Sequence, residues 1–488
     1  MKKILAMFLL LCMLLPTLVA CSGDEMEAEG GDASQSLTEE KNPLPEADPA
    51  WVDKEYNIFF RSNYDYEFVF VEENAGALIN DAVYQRNQAV ESRYGIKLVF
   101  SPSGTASFET DFLEPINNTV MAGDDTYQLA AGYTYRLAPN SVKGNFTDWY
   151  SIPYINLDGE WWDRGFVDAA SYNNHSYVMT GSLSLSYLYS ASCMYFNQDI
   201  IDANFANEGG SNAIYDLVKE GKWTYAEFYE YLSKCTVVET EMDETDIYGY
   251  ASNDTTAVDS FLFAFDIPIS TRNSKGKIVL NKQNNDEKLL DAAKKLNELF
   301  NTSGHTYNQS TDTVEDIDVH IGMMARGNAA FTTSYLEAAT QLRSTEISYG
   351  ILPFPKWNAE QTSYYSNNMD FASSFAIPQT VQDKKYVGAI TEAMAYYSHQ
   401  YVREALYGTV LKYRDAKDSR SSESIDIILD NIKCDFAYIY AFEWGDQAGP
   451  SAILRKCIRA KHSYVANNYE IDEKRFNSTL TDFLKKFE

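Results

Sequence analysis

The sequence has little of the chemistry on which most enzyme classes depend. It contains only five histidines in 488 residues, and none stands in an H-E-x-x-H pair. It also lacks the G-x-S-x-G, Walker A and G-x-G-x-x-G patterns, which counts against a metalloprotease, serine hydrolase, NTPase or dinucleotide enzyme. A glycoside hydrolase is not excluded, because two carboxylates distant in sequence suffice and 70 acidic residues hide any such pair.

Basic residues are also scarce. Lys and Arg number 40 against 70 Asp and Glu, so the net charge is 40 − 70 = −30. The first twenty residues hold two lysines and no acid, so without them the charge is 38 − 70 = −32. This charge repels phosphate backbones and anionic headgroups, which argues against nucleic acid or a lipid surface as a binding partner. A globular chain of this length is longer than a single hydrophobic core usually accommodates, so two lobes are expected.

Cysteine usage predicts no metal or redox site. Cys12 lies in the apolar N-terminal segment, and the cysteines beyond Cys21 show no C-x-x-C spacing. These are Cys193, Cys235, Cys434 and Cys457. Free thiols and a disulfide remain equally open for them. We expect no metal and no cofactor.

The N-terminal residues have the pattern of an export signal. Lys2 and Lys3 precede an apolar run over 4–19 that is too short and one-sided for a membrane span, which predicts a signal peptide over 1–20. The Leu-Val-Ala-Cys ending resembles the bacterial lipobox. That resemblance implies cleavage before Cys21 and a durable lipid anchor, palmitate included, on its sulfur. The alternative is an ordinary secretory signal that happens to contain a cysteine.

An acidic tether follows over 21–50. Residues 22–50 contain nine acids, one lysine and no aromatic residue. Such a segment cannot bury enough apolar surface to order itself, and its charges keep it extended. We expect the protein at the bacterial cell surface, held to the outer face of the cytoplasmic membrane only through the lipid on Cys21.

The body opens with a strand, a helix and a strand. An apolar run over 56–60 predicts a strand, and apolar residues at helical spacing over 76–94 predict a helix with Gly95 as its C-cap. A strand is predicted over 96–100, so a mostly parallel sheet covered by helices is expected. Farther along, Thr224 and Glu227 form a capping box that begins a helix.

Several segments in order are similar to extracellular solute-binding lipoproteins of bacterial ABC importers, of the family 1, carbohydrate type. They cover roughly residues 75–380. The matching segments are DAVYQRN at 81–87, WWD at 161–163, SCMYFNQD at 192–199, GKWT with EF at 221–228, GNAAF at 327–331, YGILPFPK at 349–356 and FAIP at 375–378.

The resemblance implies an α/β, two-lobed, periplasmic-binding-protein-like fold of type II, with hinge strands between the lobes. It places 51–187 and 322–375 in lobe 1, and 188–321 and 376–488 in lobe 2. Crossings between the lobes are expected near 185–188, 319–323 and 375–378. The ligand is expected in the interlobe cleft, with closure of the hinge on binding.

The function implied is capture of a small polar solute, a sugar or oligosaccharide, for delivery to the membrane subunits of an ABC permease. A monomer without enzymatic activity is expected. A tethered glycosidase and a ligand-sensing or adhesion lipoprotein of the same fold are the alternatives. Similar lobes also bind peptides, polyamines or metal chelates.

Sugar binding requires flat aromatic platforms and polar groups that complete hydrogen bonds with hydroxyls. The candidates lie at strand ends, next to the expected crossings or between helices of the second lobe. They are Asn63, Asp65, Tyr133, Tyr135, Arg136, Ser182, Ser184, Tyr335, Asn367, Asn368, Asp370, Glu443 and Trp444.

Overall fold

The computed structural model describes residues 43–238, 246–280, 286–309, 319–415, 418–444, 450–462 and 465–487. The predicted signal peptide, Cys21 and the predicted tether as far as residue 42 lie outside these ranges. None of the helices in the described ranges combines the length and apolarity of a membrane-spanning segment. All four cysteines beyond Cys21 are free thiols, and three of them are buried.

Strands and helices alternate along most of the chain. The strands are β1 (Glu55–Arg61), β2 (Lys97–Ser103), β3 (Leu129–Tyr133), β4 (Ser192–Asn197), β5 (Tyr248–Asn253), β6 (Ser270–Arg272), β7 (Ile278–Leu280), β8 (Thr306–Gln309), β9 (Ala329–Tyr335), β10 (Tyr349–Leu352) and β11 (Ser373–Ala376). The α-helices are α1 (Leu78–Tyr94), α2 (Glu114–Ala122), α3 (Thr134–Ser141), α4 (Arg164–Ala170), α5 (Leu185–Tyr189), α6 (Gln198–Asn204), α7 (Gly210–Lys219), α8 (Tyr225–Cys235), α9 (Thr256–Ala264), α10 (Asp286–Asn297), α11 (Val319–Ala325), α12 (Ala339–Leu342), α13 (Lys384–Tyr397), α14 (Ser419–Asp430), α15 (Phe436–Ile439), α16 (Pro450–Arg459) and α17 (Val465–Leu484). Short 3-10 turns and wider π-helical turns connect or extend several of them, as at Ser62–Glu67 and Ser398–Arg403.

The first sheet has the strand order β11-β3-β1-β2. β1 pairs in parallel with both β2 and β3, and β11 pairs antiparallel with β3. The predicted strand–helix–strand opening is therefore confirmed. Alternate residues of β1 enter two different apolar clusters, since Ile58 and Phe60 pack on one face and Phe59 on the other. Burial on both faces explains why this strand is an almost unbroken apolar run.

The second sheet has the order β10-β4-β9-β5-β8. All six residues of β4 are buried, and β4 pairs antiparallel with both β9 and β10. β9 and β10 fall within 322–375, a segment expected in lobe 1, but their hydrogen bonds place them in the second sheet. In the other direction, β11 and α13 pack with the first sheet, although most of that segment was expected in lobe 2.

The helix ends follow their local sequence signals. Gly95 ends α1 with φ of 65°, a left-handed conformation that costs a glycine little, and its N–H donates to the carbonyl of Glu91. Thr224 accepts from the N–H of Glu227 at the start of α8. The C-cap at Gly95 is confirmed, and so is the Thr224 half of the capping box at the start of α8.

In the described ranges, the chain passes from the first sheet to the second between β3 and β4 and returns between β10 and β11. Farther along, it passes from α13, which packs with the first sheet, to α14, which packs against β10 of the second. The expected crossing at 185–188 lies in the first of these, where it forms α5 instead of a strand. The expected crossing at 319–323 is wrong, because α11 connects two strands of the second sheet. The segment 375–378 lies at the end of β11, after the second crossing has been completed.

A buried carboxylate joins the first two crossings to the loop after β1. Glu67 is fully buried and accepts hydrogen bonds from the Ser186 N–H at 2.7 Å, the Ser184 hydroxyl at 3.2 Å and the Ser373 hydroxyl at 2.6 Å. Arg86, also fully buried, donates to the Glu67 carbonyl at 2.9 Å. Burial raises the pKa of Glu67 and lowers the pKa of Arg86 to about 9, an effect that the Glu67 charge partly offsets.

We expect Glu67→Ala to lower the free energy of unfolding by about 3 kcal/mol or more, because it leaves the buried hydroxyls of Ser184 and Ser373 without their acceptor and removes the charge that partly offsets the burial of Arg86. Urea denaturation measures the change. Glu73→Ala, an exposed glutamate in the next turn, is the control and should change stability by less than about 0.5 kcal/mol. Equal effects of the two variants would contradict the structural role of Glu67.

A second buried carboxylate holds the paired tryptophans. Glu392 on α13 accepts from the Trp161 indole at 2.9 Å, the Trp162 indole at 3.0 Å and the Asn156 N–H at 3.1 Å. Both indoles are buried. Burial raises the pKa of Glu392 to about 7, although these hydrogen bonds act in the opposite direction.

The raised pKa of Glu392 predicts a pH dependence of stability. Between about pH 4.5 and 7 the folded state keeps a proton that the unfolded state has lost, so the free energy of unfolding falls as pH rises, by up to about 1.4 kcal/mol per unit. We expect Glu392→Gln to flatten that part of the profile. Urea denaturation at four pH values between 4.5 and 7.5 measures it, and an unchanged slope in the variant would exclude Glu392 as the cause.

Candidate ligand-binding site

Two strand ends define one edge of the first sheet. The parallel strands β1 and β3 finish at Arg61 and Tyr133, and Tyr133 is in register with Ser373, where the antiparallel β11 begins. The corresponding edge of the second sheet carries Tyr335, in register with Ser192. Binding sites in open α/β sheets form beyond the carboxyl ends of parallel strands, so these edges are where a ligand site is sought.

The segment 367–372 connects the two edges. At the second sheet, the Asn367 carbonyl accepts from the Ser192 N–H at 2.9 Å. At the first sheet, the Asp370 carbonyl accepts from the Tyr135 N–H at 2.9 Å, and the Ala372 carbonyl accepts from Thr134 at the same distance. The side chains of this segment therefore lie at the junction of the two sheets.

Aromatic rings gather at this junction. Phe371 is half exposed (51%), and its ring centre lies 5.6 Å from that of Tyr133 and 6.3 Å from that of Tyr135. The Tyr64 hydroxyl donates to the Phe371 carbonyl at 2.6 Å, and Phe442 packs edge-on against Tyr135. An exposed phenyl ring held by neighbouring rings is a platform for the apolar C–H face of a sugar.

Charged groups surround the rings. The Arg61 guanidinium lies 4.5 Å from the centre of the Tyr133 ring. The Arg136 guanidinium lies 3.9 Å from the centre of the Phe442 ring and forms an ion pair with Glu109. Burial raises the pKa of both Tyr133 and Tyr335, and in each case the negative charge of Asp370 adds to the increase. Asp370 therefore lies near tyrosines from both sheets.

We call this group the edge cluster. It consists of Arg61, Tyr64, Tyr133, Tyr135, Arg136, Tyr335, Asp370, Phe371 and Phe442. Five of its members were predicted from the sequence, namely Tyr133, Tyr135, Arg136, Tyr335 and Asp370. Asn63 and Asp65 flank Tyr64 in the 3-10 turn after β1, and both are exposed.

Other predicted residues are held within the protein. The Ser184 hydroxyl is fully buried, where it accepts from the Tyr187 N–H and donates to Glu67. Ser182 is buried and hydrogen bonds to His399. The side-chain oxygen of Asn367 accepts from the Ser192 hydroxyl at 2.8 Å.

The predicted pair Glu443 and Trp444 lies among the C-terminal helices. Trp444 is buried against Phe436 and Phe476, and its indole donates to the Ala437 carbonyl at 2.8 Å. Glu443 accepts from Lys486 at 2.9 Å. Trp444 therefore packs as a core residue.

The side chain of Asn368 is buried without a hydrogen-bond partner among the described residues. Only 8% of its surface is exposed, and neither its side-chain oxygen nor its nitrogen has a hydrogen-bond partner among the described residues. A buried amide without a partner costs free energy, which a ligand hydroxyl could recover.

The sequence pattern does not single out Arg61, Tyr64 or Phe371. Arg61 is the first polar residue after the apolar run of β1, and Phe371 directly follows Asp370. The argument from strand ends that selects Tyr133 applies equally to Arg61. The exposure of Phe371 depends on packing and carries no sequence signal.

A separate groove of about 900 Å³ is lined by residues that include Trp149, Tyr150, Arg164 and Arg272. Its cations already have partners. Arg164 pairs with Asp158 and Asp168, and Arg272 donates to the carbonyls of Asp168 and Ser171. This internal pairing favours the edge cluster as the ligand site. In the described part of the chain, no three His, Cys, Asp or Glu side chains are arranged to hold a metal ion.

Comparison with known proteins finds similarity in structure and none in sequence. No protein-family model matches the sequence, and no curated protein matches it either. A family 1 extracellular solute-binding protein from Bifidobacterium longum subsp. infantis superposes with a TM-score of 0.54 at 12% identity, over 88% of this chain and 100% of that chain. An ABC substrate-binding protein from Listeria monocytogenes, solved in complex with cycloalternan, gives 0.52 at 12% identity, over 89% and 98%.

A third solved structure shows the same fold similarity. The maltose/maltodextrin-binding domain MalE from Bdellovibrio bacteriovorus, bound to maltotriose, gives a TM-score of 0.52 at 12% identity, over 88% of this chain and 100% of that chain. The similarity spans both sheets and nearly the whole length of each protein. The chain therefore has the two-lobed α/β fold of the solute-binding proteins of ABC transporters.

Proposed function

We propose that this protein is the extracellular substrate-binding component of an ABC importer, and that it captures a sugar or oligosaccharide at the edge cluster. The observation that carries the proposal is the position of the cluster. Exposed and half-buried aromatic rings, with Asp370 and Asn368 beside them, lie where the facing edges of two sheets meet. Sugars are bound by this combination of rings and polar groups.

The solved structures of the same fold support a carbohydrate ligand, since two of those described above hold cycloalternan or maltotriose. The partner would be the membrane subunits of an ABC permease, which distinguish the closed from the open form. We further propose a monomer that acts without catalysis or a cofactor, on the outer face of the cytoplasmic membrane through a lipid on Cys21.

Thermal unfolding of the purified full chain tests the ligand class. The panel contains neutral and acidic oligosaccharides, amino acids and polyamines. A ligand at one hundred times its Kd adds about 2.7 kcal/mol of stability and should raise the Tm by a few degrees. A shift with one glycan, recovered intact, would support binding for import.

The other outcomes separate the alternatives. A glycan that is bound and recovered cleaved would identify a glycoside hydrolase. A shift with a polyamine or amino acid alone would overturn the carbohydrate assignment. Binding of an intact glycan that no permease takes up in cells would favour a sensor.

We expect Phe371→Ala to weaken binding of the identified glycan about tenfold or more, because it removes the exposed ring of the platform. Half of the Phe371 surface is exposed, so the variant should fold normally. Isothermal titration measures the affinity. Tyr84→Ala removes a similarly exposed ring from α1, outside the cluster, and should leave the affinity unchanged. Equal affinities of the two variants would place the ligand elsewhere.

A further inference from the structure

The Arg61 side chain lies against aromatic rings of the edge cluster. Its guanidinium lies over the ring of Tyr133 at 4.5 Å and near that of Tyr64 at 5.8 Å. Among the described residues, it has neither a hydrogen bond nor an ion pair, and its side chain is only partly exposed. Five N–H donors are thus available at the edge cluster.

This situation is unusual in so acidic a protein. Acids outnumber bases by 70 to 40, and the neighbouring arginines are bonded. Arg136 pairs with Glu109, and Arg86 donates to main-chain carbonyls. In the described part of the chain, the Arg61 cation gains its contact with the Tyr133 ring but no ion pair, so a role in recognition explains its position better.

A guanidinium placed over an aromatic ring is prepared for one kind of partner. Its planar fork matches a carboxylate with two parallel hydrogen bonds, and the contact with the Tyr133 ring reduces the entropy lost when those bonds form. A neutral hydroxyl uses only one donor and forms a weaker bond. A carboxylate therefore fits Arg61 better than a hydroxyl does.

The surroundings limit the ligand to few negative charges. The charge of Asp370 reaches Tyr133 and Tyr335, and the side chain of Glu109 lies beside Arg136. Carboxylates at these places repel a polyanion but accept hydrogen bonds from hydroxyls. The cluster thus suits a ligand with one carboxylate near Arg61 and hydroxyls elsewhere.

We propose that Arg61 binds a carboxylate of the ligand, so that the substrate is an acidic saccharide of the uronic acid class. This inference rests on the proposed function, namely saccharide binding at the edge cluster. It deepens that function by assigning the substrate class and the residue that selects it.

Isothermal titration of the full chain with matched sugar pairs tests the inference. The acidic probes are digalacturonate, dimannuronate and cellobiouronate, and the neutral probes are galactobiose, mannobiose and cellobiose. We expect at least one acidic probe to bind at least about tenfold more tightly than its neutral counterpart. We also expect that preference to shrink as salt is added.

Three variants assign the preference to Arg61. Arg61→Gln should weaken binding of the acidic probe by at least about tenfold and leave the neutral probe within about twofold. Arg61→Lys keeps the charge without the planar fork and should give an intermediate loss. Arg164→Gln, an exposed arginine outside the cluster, is the control and should change neither affinity. Circular dichroism confirms that each variant is folded.

The titrations distinguish a failure of this inference from a failure of the proposed function. A neutral probe that binds as tightly as its acidic counterpart would overturn the inference and leave the proposed function intact. An acidic preference that survives Arg61→Gln would also overturn the assignment to Arg61. No binding of any saccharide, acidic or neutral, would remove the proposed function and the inference together.

Discussion

The arrangement of the two sheets depends on one buried carboxylate. Glu67 follows β1 and accepts hydrogen bonds from Ser184 and Ser186 at the first crossing and from Ser373 at the start of β11. A buried carboxylate is stable only with such partners, so its burial requires the two crossings to meet at this point. Burial raises the pKa of Glu67, which indicates that the hydrogen bonds offset only part of the cost of desolvation. The loop after β1 is thereby fixed against both connections between the sheets.

The edge cluster follows from that arrangement. Ser373 is in register with Tyr133, and the segment leading into β11 carries Asp370 and Phe371. When Glu67 holds Ser373, it also sets where these side chains stand relative to the end of β1. The same packing that binds Ser184 into the interior leaves Phe371 exposed and Arg61 without a partner among the described residues. Residues buried in the junction and residues of the edge cluster thus lie only a few positions apart in the sequence.

Much of the fold was predictable because its signals are local. The end of α1 at Gly95, the cap at Thr224 and the strand–helix–strand opening each depend on residues within one or two turns or on a clear apolar run. The two-lobed fold was predicted from segments in order and is confirmed. The crossing at 319–323 and the membership of β9 and β10 were not predictable, because strand pairing joins residues distant in sequence. In the site, Tyr133 and Asp370 could be selected by position, but Ser184 and Trp444 could not be separated from them by pattern.

The sequence by itself determined the acidic charge, the helix caps, the alternation of strands and helices, and the set of polar and aromatic residues available at strand ends. Only the tertiary structure decided which of those residues meet. The reason is that propensity and capping act over a few residues, whereas burial of a polar group depends on partners that the chain brings from far away. Ser373 lies 306 positions from Glu67, and Phe371 lies more than 230 positions from Tyr133 and Tyr135. Whether a serine is buried against Glu67 or a phenylalanine is exposed at the edge of the sheet is set by those distant contacts.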